Sequence, residues 1–174
     1  MNIVVRKATI DDIPDIHEIV KQAFTKYLED LGTSHKLAAL EEDYKTIEED
    51  IKTKNVYIAL LDGKPVGTIR YHMISDDTAY ISRFAVKPNS QKCGVGRTLM
   101  LTVERDVMNK DKGTRIALHT CSKMFSLVRF YYGLNYYIHS TSTDRGYIRA
   151  LLYKELDSQG KNCENQVISY ACCK

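Results

Sequence analysis

The sequence predicts one α/β domain, a mixed β-sheet flanked by helices in the order β-α-α-β-β-β-α-β-α-β-β. Three observations carry that prediction. Runs with strand character alternate with runs whose apolar residues recur every three or four positions. The 174 residues amount to about one domain, and neither a linker nor an internal repeat divides them. Hydrophobic residues make up 44% and charged residues 27%, a composition that supplies one core and excludes a disordered chain.

Residues 2–7 open the chain as a short strand. Asp11 reads as the cap of the first helix, with Pro14 in its first turn, where a missing N–H costs nothing. Ile13, Ile16, Val20, Phe24 and Leu28 give this helix one apolar face. A second helix is expected from about Ser34, with Leu37, Leu40, Tyr44, Ile47 and Ile51 inward. Its acids, among them Glu41, Glu42, Glu48 and Glu49, read as a solvated face. Residues 56–61 and 66–74 form a hairpin about Asp62-Gly63. A third strand, 78–86, follows the turn Ser75-Asp76-Asp77 and stops at Pro88. The loop 89–96 then opens a third helix, with Val95, Leu99, Val103 and Val107 on one face and an end near Gly113. Residues 115–120 make another strand, and Ser122 reads as the cap of a fourth helix holding Phe125, Val128 and Tyr132. Residues 136–141 and 147–156 close the domain as a hairpin across 143–146. The domain is thus expected over 1–156, and the polar tail 157–174 as an edge strand or a disordered segment.

A net charge of +3 is too weak to argue for nucleic acid as a partner. No apolar run approaches the ~20 residues of a membrane span. The start, MNIVVRKATIDD, has no basic region followed by a long apolar one, so no signal peptide is expected. The cysteines are Cys93, Cys121, Cys163, Cys172 and Cys173, an odd count without C-x-x-C or zinc spacing. A reduced, cytoplasmic protein without a metal site is the expectation, and a homodimer is left open.

The sharpest chemical feature is the loop Gln91-Lys92-Cys93-Gly94-Val95-Gly96, which runs from a strand end directly into a helix. Glycines permit a tight turn and close approach of a ligand. The free N–H groups and dipole of a helix start attract an anion, and Lys92 and Arg97 add charge, so a pyrophosphate is the natural guest. A Walker A loop is absent, and the dinucleotide fingerprint fails because Leu99 stands where its third glycine belongs. On the loop alone, a helix start without a ligand stays equally open.

Gln91-x-x-Gly94-x-Gly96 resembles the Q/R-x-x-G-x-G/A signature of the GCN5-related N-acetyltransferase (GNAT) superfamily. The preceding stretch from Ala79 to Pro88 resembles that family's central strand, and Phe130-Tyr131-Tyr132-Gly133-Leu134-Asn135-Tyr136 its F-Y-x-x-L-G-F segment. The resemblance covers residues 2 to about 156 and implies the GNAT fold, with a mixed, mostly antiparallel sheet. It implies an N-acetyltransferase that moves an acetyl group from acetyl-CoA to a primary amine, of a small molecule or a peptide, by direct attack in a ternary complex. By motif, Gln91, Lys92, Cys93, Gly94, Val95, Gly96, Arg97 and Thr98 would hold the pyrophosphate. Phe84, Ala85 and Val86 map to an edge that pantetheine joins like an added strand. The N–H of Val86 would polarise the thioester carbonyl, and Tyr131 would protonate the departing thiolate.

The chain departs from the pattern in three places. Met124 stands where the family often has an Asn that contacts the cofactor. Asn135 replaces a Gly, which an Asn tolerates because it can take the left-handed conformation. Ile81, Ser82 and Arg83 offer no Glu as general base, which leaves His72, His119 or water for that role. A Cys121/His119 nucleophile and a tyrosine stacking platform over 130–137 are weaker readings than a buried thiol and core packing. Residues 25–55 hold eight acids against five Lys and Arg, which motivates a cationic acceptor amine. The rival to an enzyme is an acyl-CoA-binding sensor of the same fold that does not turn over.

Overall fold

The computed structural model describes residues 1–32, 37–143 and 146–156. The first strand, β1, spans Ile3–Lys7 and is followed by α1 over Ile13–Leu31 and α2 over Tyr44–Thr53. Strands β2 (Asn55–Leu61), β3 (Lys64–Met73) and β4 (Thr78–Val86) lead to α3 at Val95–Asp106. Strand β5 (Arg115–Cys121), helix α4 (Phe125–Tyr132), and strands β6 (Tyr137–Ser142) and β7 (Arg149–Glu155) complete the expected order.

Among the described residues seven strands form one sheet in the order β1-β2-β3-β4-β5-β7-β6. Every neighbouring pair is antiparallel except β4 and β5. On one face Ile16 and Ile19 of α1 and Ile47 of α2 pack with Val56 and Ile58. On the other, Leu99, Met100 and Val103 of α3 and Tyr131 of α4 pack with Ile69, Tyr71, Ile81 and Ile116. The period of the apolar residues therefore decided the layers, as it does where one face of each helix is buried.

The seating of α3 depends on Gly67 in β3. A Cβ there would lie 3.0 Å from Leu99 Cδ1 and from Val95 Cγ1, so the bare backbone is what lets the start of α3 approach the sheet. Leu99 fills that contact and is fully buried. Leu99→Ala is expected to cost about 2–5 kcal/mol of stability, from lost transfer energy plus the cavity left behind. Urea denaturation checks this.

Several boundaries differ from the sequence reading. The second helix starts at Tyr44, because Asp43 caps it: its Oδ1 accepts from the Thr46 N–H at 2.8 Å. Leu37 and Leu40, whose spacing suggested an earlier start, lie in a turn closed by the Leu40 N–H on the Leu37 carbonyl at 2.9 Å. Ser34 lies outside the described residues, as do Asp144, Arg145 and the tail 157–174 with Cys163, Cys172 and Cys173. Before α1, Asp12 rather than Asp11 is the organising acid. Its carboxylate accepts from the Thr9 N–H at 2.7 Å and from both Arg6 Nη atoms at 2.7 Å. Ser122 does not cap α4; its N–H and hydroxyl both donate to the Ile148 carbonyl at 3.0 Å. Regular α3 ends at Asp106, and a wider turn covers Val107–Asp111. The hydroxyls of Tyr57 and Tyr71 reach Asp106 and Asp111, and so anchor that turn to the sheet.

Candidate functional site

A fork in the sheet organises the site. Strands β4 and β5 pair only from Thr78↔Arg115 to Ile81↔Leu118. Beyond Ile81 the two strands part, and the rest of β4 keeps a partner on its β3 side alone. On that side the register steps from Arg70↔Ser82 to Thr68↔Ala85, so that Arg83 and Phe84 together oppose Ile69. This is a β-bulge, and Arg83 takes a left-handed φ of 47° within it. The Lys87 N–H donates to the Val66 carbonyl at 2.8 Å. Antiparallel alternation then turns the Val86 N–H and C=O away from β3, onto the open edge. Phe84 and Val86 pack on the α3/α4 side and Ala85 on the α1/α2 side.

The glycine loop follows directly. Gln91 Nε2 donates to the Val86 carbonyl at 3.2 Å, so this side chain braces the loop against β4. That leaves the Val86 N–H available to donate on the open edge. Lys92 and Gly94 both have positive φ, 63° and 87°, and Gly94 immediately precedes α3. Alternating left-handed residues gather successive N–H groups into an anion-binding concavity. The Thr98 N–H closes the first turn on the Gly94 carbonyl at 3.0 Å. Among the described residues, no backbone carbonyl accepts from the amides of Lys92 to Arg97 that precede it. The Thr98 hydroxyl also turns back to Gly94 at 3.0 Å, and Cys93 Sγ approaches the Gln91 carbonyl at 3.5 Å. Lys92 and Arg97 are exposed, and Val95 is buried under the helix. At Gly96 a Cβ would meet Phe84 Cζ at 3.1 Å and Phe130 Cζ at 3.5 Å, so the loop leans on the same aromatic rings that reach the fork.

Tyr131 lies across those rings. Its ring centroid is 6.4 Å from Phe84, 5.3 Å from Phe130 and 6.0 Å from Tyr136. It is 6% exposed, whereas Tyr132 is 50% exposed. Burial pushes the Tyr131 phenol above its ordinary pKa, so it stays protonated at neutral pH and keeps a proton to donate. Asn135 has the left-handed φ expected of it, 65°, and the Tyr136 N–H returns to the Tyr131 carbonyl at 3.0 Å. Met124 precedes α4 and accepts its first N–H groups, from Leu127 and Val128, through its carbonyl.

The α1/α2 side of the fork carries the histidines. His72 pairs in register with Tyr80, and the Tyr80 hydroxyl lies 2.9 Å from His119 Nδ1. Burial lowers the pKa of His72, which keeps it neutral near pH 7. Cys121 is fully buried, as expected from the sequence. A cavity of about 450 Å³ opens beside the end of α1, lined by Leu31, Gly32, Lys123, Thr143, Tyr147 and Ile148 among others. It includes none of the residues that the sequence singled out.

Sequence reasoning missed a buried ion network here. Arg70 of β3 is fully buried and meets Glu42 through two bonds of 2.7 and 2.6 Å. Its Nη1 also reaches Asp50 at 2.7 Å, and Lys54 pairs with the other Asp50 oxygen at 2.8 Å. Arg83 joins through Nε to Glu42 at 3.1 Å and through Nη2 to the Ala38 carbonyl at 3.5 Å. Glu42 is therefore not on a solvated face. The available signal was an arginine in the middle of a strand, between the apolar Ile69 and Tyr71. The same bonds weaken the charge argument for a cationic acceptor, since Glu42 and Asp50 are neutralised internally, and Asp30 and Glu48 pair with Lys26 and Lys52.

A profile of the Acetyltransferase (GNAT) family matches residues 13–136. No curated protein matches the sequence. The PaiA N-acetyltransferase from Thermoplasma acidophilum, solved in complex with coenzyme A, is 18% identical. That match covers 89% of this chain and 99% of that one, with a TM-score of 0.76. YncA from Salmonella typhimurium, solved with acetyl-CoA, is 16% identical over 91% of this chain and 96% of its own, with a TM-score of 0.71. A spermidine N-acetyltransferase chimera from Vibrio cholerae and hSSAT is 15% identical over 90% and 96%, with a TM-score of 0.70. At these identities the likeness shows a shared fold. No described helix is long and apolar enough to cross a membrane.

Proposed function

The chain belongs to the acetyltransferase (GNAT) family, and from that premise we propose that it is an N-acetyltransferase using acetyl-CoA and a primary amine. The observation that carries the reading is the meeting of three features at one fork: the Val86 N–H on an open edge, the protonated Tyr131 across Phe84, and the glycine loop at the end of the same strand. The fit to the cosubstrate is local. Gly94 supplies a left-handed turn, a Cβ at Gly96 would crowd the aromatic rings, and unclaimed amides run from Lys92 to Arg97.

Acetyl-CoA supplies an acetyl group activated as a thioester. Amides from Lys92 to Arg97 bind its pyrophosphate, with Gln91 holding the loop to β4 through Val86. The unpaired edge at Phe84, Ala85 and Val86 orients pantetheine by strand addition. The Val86 N–H donates to the carbonyl oxygen, where charge builds as the amine attacks. Tyr131 gives its proton to the leaving sulfur. The proton lost by the amine is taken up by His72, which burial keeps neutral, by His119 or by water, on the α1/α2 side of the fork. The free thiols of Cys93 and Cys121 accord with a cytoplasmic setting.

Incubation with acetyl-CoA and a panel of primary amines, read by release of free CoA thiol, tests the proposal. The panel should include a polyamine, amino acid esters and peptides with free amino termini. Thiol release with at least one amine, in proportion to protein, is expected. CoA binding without thiol release from any amine would overturn the enzyme reading in favour of the sensor.

A further inference from the structure

We propose that Glu42 is a positioning residue for acetyl transfer, acting through Arg83 to fix the β4 bulge and so the direction of the Val86 amide. The claim rests on the acetyltransferase reading and adds a link from the α1–α2 connection to the thioester side of the fork.

The bulge is held in an unusual way. A left-handed φ of 47° is unfavourable for a residue with a long side chain and persists where its surroundings over-determine it. Arg83 is over-determined by its own side chain, which is bonded to Glu42 and to the Ala38 carbonyl. Glu42 in turn is enclosed and paired on both oxygens. Its side chain is only 2% exposed, and its two oxygens are matched by both Nη atoms of a fully buried Arg70. Arg70 stands opposite Ser82, the last residue in register before the bulge. Asp50 of α2 holds the same guanidinium from another direction and is held by Lys54. Four segments, the α1–α2 connection, α2, β3 and β4, thus converge on one point directly beside the fork.

A buried ion network is weak evidence for stability, because desolvation offsets much of its attraction. Its distinctive effect is to permit one arrangement. Here that arrangement sets which way β4 leaves the bulge, and Phe84, Ala85 and Val86 are the next three residues. The glycine loop lies further along the chain, and its conformation is set within the loop by the left-handed Lys92 and Gly94. Loss of the clamp should therefore disturb the reacting end of the site and spare binding of the CoA headgroup.

Arg83→Gly is the decisive variant. It leaves the pairs of Glu42, Arg70 and Asp50 intact, and glycine accepts a positive φ without strain, so the chain should fold. The expected result is a fall in kcat of about tenfold or more, with Tm little changed and Kd for CoA within about twofold. Arg83→Lys, which keeps a cation able to reach Glu42, should restore most of the lost kcat. Hydrogen exchange of the amides of residues 38–43 should quicken in Arg83→Gly, a readout that needs no turnover. An unchanged kcat in an active enzyme, or unchanged exchange, overturns the proposal. A fall in kcat accompanied by equal losses of Tm and CoA affinity also overturns it, in favour of a purely structural role. Absence of turnover in the unsubstituted chain overturns the acetyltransferase reading instead, and the exchange result still decides whether the clamp exists.

Discussion

Tyr131→Phe is expected to lower kcat by about tenfold or more while leaving CoA affinity within about twofold, because a positioned general acid typically contributes 10²–10⁴-fold. Thiolate is a moderate leaving group, so the reaction survives the loss of a proton donor but slows. The substitution removes one oxygen and keeps the ring that packs against Phe84, Phe130 and Tyr136, so the core should be retained. Tyr132→Phe is the internal control. It lies about 100° further round the helix and is half exposed, away from those rings. Its kcat should stay within about a factor of two of the parent. The sign of the pH effect follows from burial. The Tyr131 phenol is raised above its ordinary value, so its ionisation should not limit kcat anywhere in the neutral range. Steady-state kinetics with the best amine of the panel check both substitutions. Equal, small effects at Tyr131 and Tyr132 would reduce Tyr131 to a packing residue.

The second large effect is expected at the glycine loop. Gly96→Glu should weaken CoA binding by about 100-fold or more, equivalent to about 2.7 kcal/mol. Two causes add. A side chain at this position meets Phe84 and Phe130 from its first carbon onward. Its carboxylate then stands in the first turn of α3, where the helix start would otherwise favour the phosphates. Gly96→Ala separates the causes, since it adds only the crowding. Calorimetry with CoA measures the affinity, and circular dichroism reports whether the fold is kept. Unchanged affinity in Gly96→Glu would remove the loop from the cofactor site.

The sequence made the layers and the loop legible because each rests on local rules. The apolar period of α1 and α3 selected the faces that are buried, the Asp62-Gly63 turn set the β2–β3 hairpin, and Asn135 signalled a left-handed residue. The network of Arg70, Glu42, Asp50 and Arg83 was not legible, because its members are separated in sequence and acids near a helix usually face water. The start of α2 was misplaced for a related reason: Leu37 and Leu40 kept helical spacing inside a turn, while Asp43 held the cap. The bulge, too, depends on a register between β3 and β4 that no local pattern reveals. Gln91 shows the middle case. Its place in the loop was evident from spacing, but the bond of its side chain to Val86 required the fold.

The fork also couples the stability of the folded chain to what binds there. From Ser82 onward β4 is a sheet strand short of one neighbour. A guest that fills that vacancy binds the native state and not the unfolded one, and so stabilises it by about 2.7 kcal/mol when present at 100 times its Kd. Under the proposed function that guest is the acetyl donor, and folding and loading become two readings of one equilibrium. Excess donor would then lower the population of unfolded chain, and its withdrawal would raise it.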